Sequence, residues 1–481
     1  MDLSLPYDRK INSRSVTTEL SEWVAQLKWE DVPDKIKDRT KFLILDGIGC
    51  ALVGAHLPWS EEAVEAVLKF ETPGGDSPIV GWKGRKTGLV SAALLNSTFI
   101  QGFELDDYHS YAPLHSNSII LPTLLSLCSK DPSKHSGRDF ILATIVGFEV
   151  GPRVGKSIGG SSILSLGWHS GAVFGPPVAA ASACKFLSHN AIQIEDAFGI
   201  ACTQASGLMS AQFESSVKRM QHGFAVRNGL FAALLADSNY KGISKVFERK
   251  YGGYIPVFTL GGLKPKPEEI SLGLGEIWRI EGTLVKLHPC MGGIHSTCEC
   301  VEELVNSQEV DSKNIEGVKI ELGKAAFHHG GWKAQRPINV IGAQMNNSYI
   351  AASIFVDGSL QMKSFTEDKL NREEVWDIVK KTQCVENNFE GQIDPQFKLC
   401  TQVTVTTKDG KEHISRVVNP KGVLPPLTGK EIVEKFKNLT NNVITKDQQD
   451  KIIETVLNLD KFDMSCLLDS LDIDTSNPLA V

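Results

Sequence analysis

Between Glu104 and His115 the chain reads ELDDYHSYAPLH, which gathers the carboxylates of Glu104, Asp106 and Asp107, the phenols of Tyr108 and Tyr111, and the imidazoles of His109 and His115. The stretch has no lysine or arginine and lies between two apolar runs, 89–103 and 119–127. A carboxylate can hold and orient an imidazole, and an oriented imidazole moves protons near neutral pH. A solvated acidic turn between two core helices is the other reading of the same residues. Pro113 and the density of acids argue against a helix interior here.

Four more segments concentrate reactive types. GWHSG sets His169 between glycines ahead of Pro176-Pro177, which reads as a turn. SAQFESSVKRMQHGFAVRNG carries Lys218, Arg219, His222 and Arg227 directly after an almost uncharged stretch, 199–213. Cations beside a buried apolar segment need an anion, either internal or brought by a ligand. In VKLHPCMGGIH, Lys286 and His288 close an expected strand before the turn at Pro289, Gly292 and Gly293. FHHGG pairs His328 with His329; without a matching carboxylate–histidine set, such a pair reads as surface or hydrogen-bonded residues. An acidic loop for proton transfer and two cationic segments for anion binding are together what an enzyme acting on a polycarboxylate needs.

Bulk properties narrow the field. The formal charge is −7 over 481 residues, and no Lys/Arg-rich run is present, so no nucleic-acid partner is expected. No apolar stretch reaches the 18 or more residues of a membrane span, and the N-terminus MDLSLPYDRKINSRS has neither signal-peptide nor transit-peptide character. A cytoplasmic protein is expected, with no membrane partner. The ten cysteines are scattered and read as buried thiols; the Cys298-x-Cys300 pair beside His295 lacks a second ligand pair, so no metal is expected. Neither a GxxxxGK[ST] loop nor a strand-borne GxGxxG occurs, which leaves nucleotide binding unsupported.

The elements that must position these groups follow from periodicity. Leu20, Trp23, Val24 and Leu27 form a helical stripe, and the Gly/Ala/Val-rich segments 36–53, 140–150 and 173–186 read as closely packed core helices. From about 278 the period changes: Val318, Ile320 and Leu322 alternate with charged residues. Val403 and Val405 then lead through Asp409-Gly410 into 414–418, a hairpin signature. After Pro425-Pro426, Thr428 and Glu431 make a capping box that restarts helix. The expected fold is mainly α. One large helical domain is formed by both chain ends (1–280 and 419–481), and a smaller α/β domain, 281–418, is inserted as a lid.

ELDDYHSYAPLHS, GWHSGAVFG, GIACTQASGLMSAQF, VKRMQHGFAVRNGL and KLHPCMGGIH, in this order, resemble the MmgE/PrpD family, which includes 2-methylcitrate dehydratases and cis-aconitate decarboxylases. The likeness spans nearly the whole chain and is most specific over 199–254. It implies a homodimer, an active site between the helical domain and the lid, and no metal or organic cofactor. It also implies a tricarboxylate substrate, either cis-aconitate decarboxylated to itaconate or a 2-methylcitrate or longer alkylcitrate dehydrated. By that resemblance Glu104 stands where the decarboxylases carry aspartate, and His115 closes the loop as proton donor, held by Asp106 or Asp107. Lys218 and the lid lysine Lys286 bind the substrate's charge, with Tyr108, His169, His222, Arg227 and His288 as further substrate-binding candidates. Met291 falls where vertebrate relatives carry a lid histidine.

Overall fold

A computed structural model describes residues 15–72, 74–389 and 399–480, and the fold is mainly α with a small sheet. Ser15 caps the helix Val16–Gln26 by accepting from the Thr18 amide, and the expected stripe Leu20, Val24 and Leu27 faces the core. Asp34–Gly54, Leu89–Ile100, Gly137–Ser157, Ser170–Phe186 and Val217–Asp237 are the central helices. They pack side by side, the last lying against both Ser170–Phe186 and Leu89–Ile100. Small residues make this contact possible: a Cβ on Gly229 would sit 2.2 Å from the Pro176 carbonyl oxygen.

Pro176-Pro177 is not a turn. Both prolines lie inside the helix Ser170–Phe186. Its N-terminal turn is fixed by His169, whose side chain accepts from the Ala172 amide at 3.3 Å. Burial on several sides holds the helix through two missing amide donors, a tertiary effect that overrides local proline preference.

The sheet is four-stranded, in the order Thr382–Glu386, Ile315–Leu322, Thr401–Thr407, Glu412–Val417; the first pair is parallel and the other two antiparallel. The hairpin at Asp409-Gly410 forms with Gly410 at φ 80°, and Val318, Ile320, Val403 and Val405 are buried as their alternation required. The helices His295–Asn306, Asn347–Asp357 and Glu373–Lys381 pack around it.

Two connections set the site. Tyr108–His109 pairs antiparallel with Thr283–Leu284, tying the acidic loop to the residues just before Lys286. The helices Gly429–Thr440 and Lys446–Leu457, the first opened by the Thr428/Glu431 capping box, return to pack on Asp34–Gly54. From there Lys435 reaches Asp46 and donates to the Leu105 carbonyl oxygen, each at 2.6 Å. No single helix among the described residues is long and apolar enough to cross a membrane.

Candidate active site

The acidic loop is not a solvated turn. Glu104, Asp106, Asp107 and His109 are all buried. Each carboxylate has its own task. Asp107 accepts from the Ser116 and Asn117 amides at 3.0 and 2.9 Å and so anchors the start of the helix Asn117–Cys128. Burial, and the neighbouring Asp106, push its pKa up to about 7. Asp106 instead lies 3.1 Å from His115, Oδ2 to Nδ1. Burial alone would raise the Asp106 pKa, but His115 and Lys286 outweigh it and hold the carboxyl below its ordinary range. With Nδ1 facing Asp106 as an ion-pair contact, Nε2 is the nitrogen His115 has left for chemistry.

Glu104 is clamped. Its Oε1 accepts from Lys218, from Gln101 at 2.9 Å and from Arg219 at 3.0 Å, and its Oε2 lies 2.9 Å from Lys286 Nζ. These donors fix a residue whose φ of 57° is left-handed, a conformation that costs a non-glycine residue about 1 kcal/mol or more. One carboxylate facing three cations leaves the cluster with a surplus of positive charge. Burial, with Arg219 and Lys286 close by, pushes the Lys218 ammonium well below its ordinary pKa, and burial likewise lowers Lys286 and brings Arg219 to about 9. An incoming carboxylate would favour the charged lysines.

Glu104, Tyr108, His115, His169 and Lys218 line one cavity of about 530 Å³ together with Lys286, which comes from the segment after Thr283–Leu284. The Tyr108 hydroxyl is buried without a hydrogen-bond partner, and burial raises its pKa, so it remains a protonated donor. Burial, then the neighbouring His115, lowers His169 to about 3. Because its Nδ1 accepts from Ala172, the neutral ring carries its proton on Nε2. His222 stands behind this wall, its ring centroid 5.0 Å from that of His115 and 5.1 Å from that of His169. It fits only because residue 171 is glycine: a Cβ there would fall 1.9 Å from its Nε2.

Two sequence candidates, Arg227 and His288, sit elsewhere, and His109 serves the loop itself. His109 donates from Nε2 to the Arg279 carbonyl at 3.0 Å and accepts the Tyr111 amide on Nδ1, bracing the loop while its ring edges the cavity. Arg227 is exposed, stacked over Phe224 and bonded to Asn228. His288 faces Glu302 at 3.7 Å, away from the cavity wall. Conversely, Gln344, Lys156, Lys266 and His329 join the site or its wall without having been singled out for it, while Arg219, named among the cations of its segment, joins through Glu104. Gln344 ties the two sides together, accepting from Arg219 and donating to the Phe103 carbonyl at 3.2 Å and the Pro289 carbonyl at 2.9 Å. Among the described residues no group of three or more His, Cys, Asp or Glu is placed to hold a metal ion.

Fold and cavity together define a mainly α protein with a buried cationic cleft, walled by helices on one side and by a sheet-bearing segment on the other. The chain belongs to the MmgE/PrpD family: the family's N-terminal domain matches residues 18–266 and its C-terminal domain residues 288–461. It is 44% identical to a cis-aconitate decarboxylase-like protein of Aspergillus oryzae, over 93% of this chain and 95% of that one. It is 42% identical to the cis-aconitate decarboxylase of Aspergillus terreus, over 97% and 98% of the two chains. With the human cis-aconitate decarboxylase it shares 24% identity over 95% of this chain and 94% of that one.

Proposed function

We propose that this chain decarboxylates cis-aconitate to itaconate and CO2 without a metal or organic cofactor. The observation that carries the reading is the cavity itself, in which Lys218 and Lys286 face a space shared with an Asp106-backed imidazole. The Aspergillus terreus relatives, named for this activity and matched over nearly their whole length, support it.

In cis-aconitate the carboxylate on the CH2 arm is β,γ to the double bond. When its C–C bond breaks, CO2 leaves and the electron pair forms the new terminal alkene. The former double-bond electrons move onto the distant CH carbon and its carboxylate as a dienolate. One proton delivered to that carbon gives itaconate, so the reaction consumes one proton. Lys218 and Lys286 bind carboxylates and stabilise the dienolate; Tyr108 and His169 donate hydrogen bonds. Glu104, Asp106 and Arg219 position the charged groups, and His115 Nε2 is the acid. We further propose that 281–418 acts as the lid over a frame of 1–280 and 419–481, and that the protein is a cytoplasmic homodimer.

The test is purified protein with cis-aconitate, followed by NMR for the vinyl protons of itaconate, with 2-methylcitrate in parallel. Turnover of 2-methylcitrate alone would make the enzyme a dehydratase. His115→Ala should lower kcat roughly 10²–10⁴-fold with the fold intact. Unchanged turnover in that variant would remove His115 from the chemistry.

A further inference from the structure

The two walls of the cavity differ in character. Among the described residues that 281–418 contributes to it, only Lys286 and His329 have polar side chains; the others are glycine, alanine, methionine or leucine. His329 lies on the short helix Lys324–Gly330, and its Nε2 is buried with no hydrogen-bond partner. Leaving a buried polar nitrogen unsatisfied is destabilising, a penalty that a ligand can remove. Its neighbour His328 behaves differently: it is exposed and faces Glu386 at 3.5 Å. Met291, on the same wall, packs its methyl group toward Gly330 and offers no donor.

A tricarboxylate brings three anions. Of the four lysines that line the cavity, Lys218 and Lys286 already share Glu104, Lys156 faces Glu269 at 3.1 Å, and Lys156 and Lys266 both belong to the helical side, so the sheet-bearing side offers one ammonium alone. We infer that His329 is a substrate-binding residue, its Nε2–H donating from the lid side to a substrate carboxylate. This rests on the tricarboxylate reading of the cavity and adds to it the wall that recognises the ligand from the sheet-bearing segment. Burial, then His328, lowers the His329 pKa, so the free ring is neutral and an arriving anion favours its protonated, two-donor form. The position also explains why the site needs 281–418 in place: without it the ligand would lose one ammonium and one imidazole together.

The experiment uses the full chain and tricarballylate, a saturated tricarboxylate that cannot react, in calorimetric titration, alongside steady-state kinetics with cis-aconitate. His329→Ala should weaken tricarballylate binding and raise KM roughly ten- to hundredfold, with kcat changed less. His329→Gln, whose amide nitrogen can take the place of Nε2–H, should recover much of that loss. His328→Ala should bind and turn over as the wild type does. Unchanged tricarballylate affinity in His329→Ala would overturn the inference, as would equal weakness in His329→Gln or an equal loss in His328→Ala. A wild type that binds tricarballylate but leaves cis-aconitate untouched would refute the decarboxylase reading and leave His329 as a tricarboxylate ligand.

Discussion

Replacing Glu104 with glutamine removes one negative charge from among three buried cations, and the structure fixes what should follow. The side chains of Lys218, Arg219 and Lys286 are 7%, 0% and 1% exposed, and Glu104 itself 2%. Solvent therefore cannot replace the missing charge. Deleting one partner of a buried pair costs about 3–5 kcal/mol because the other charge is left uncompensated. Unfolding entropy of about 2.1 cal/mol/K per residue gives roughly 1 kcal/mol/K for a chain this long, so Tm should fall by about 3–5 °C. A carboxylate ligand can take up the vacated role. Tricarballylate should accordingly raise the Tm of Glu104→Gln by more than it raises that of the wild type, while kcat falls because the lysines are no longer held in register. Differential scanning calorimetry with and without the ligand measures both shifts. Equal ligand-induced shifts in variant and wild type would show that Glu104 does not balance these cations, and the electrostatic account of the cavity would have to be abandoned.

Other consequences are equally direct. Asp106→Asn keeps the shape of the His115 contact but cannot stabilise an imidazolium, so kcat should drop about a hundredfold or more with KM little changed; an unchanged kcat would dissociate the pair from catalysis. His109 has its pKa lowered to about 3, chiefly by burial, so the folded state binds fewer protons than the unfolded one below the ordinary value of about 6.5. Its stabilising contribution is full above that pH and is lost as pH falls, so the advantage of wild type over His109→Asn should shrink by about 1.4 kcal/mol per pH unit between roughly 6 and 4; urea titrations across that range would show no slope if the ring were already charged. Lys435→Met strands the buried Asp46 carboxylate and should cost about 3–5 kcal/mol of stability, while also loosening the loop at Leu105; a variant as stable and active as wild type would show that this tie is dispensable.

Much of the scaffold was legible in the chain. The stripe at Leu20, Val24 and Leu27, the hairpin about Asp409-Gly410 and the cap at Thr428 and Glu431 depend on local periodicity and turn chemistry, which sequence displays directly. Pro176-Pro177 misled because burial, not local preference, decides that segment. Site membership was harder to see, since it depends on which face an element presents. On the helix Val217–Asp237, His222 lies about 40° round from Lys218, whereas Arg227 lies about 180° round, which is why one backs the cavity and the other meets solvent. In the segment after Thr283–Leu284, Lys286 meets the cavity and His288, two residues on, does not. Glu104 meets Lys286 only through a fold that spans 182 residues of chain, and no local signal marks Gln344 or His329 as reaching the same space.

The bond from Lys435 to the Leu105 carbonyl has a temporal side. Its partners are 330 residues apart, so the loop that carries the acid is braced by a helix that the ribosome makes long afterwards. At about 5–20 residues per second, the interval is roughly a quarter of a minute to a minute. Throughout it the helical block holds Asp46 without its lysine and the loop without its brace, and the Gln344 and Lys286 contacts arrive only within the same window. The protein's activity is therefore a property of the finished chain, and the nascent helical block is the species that needs protection while the rest is made.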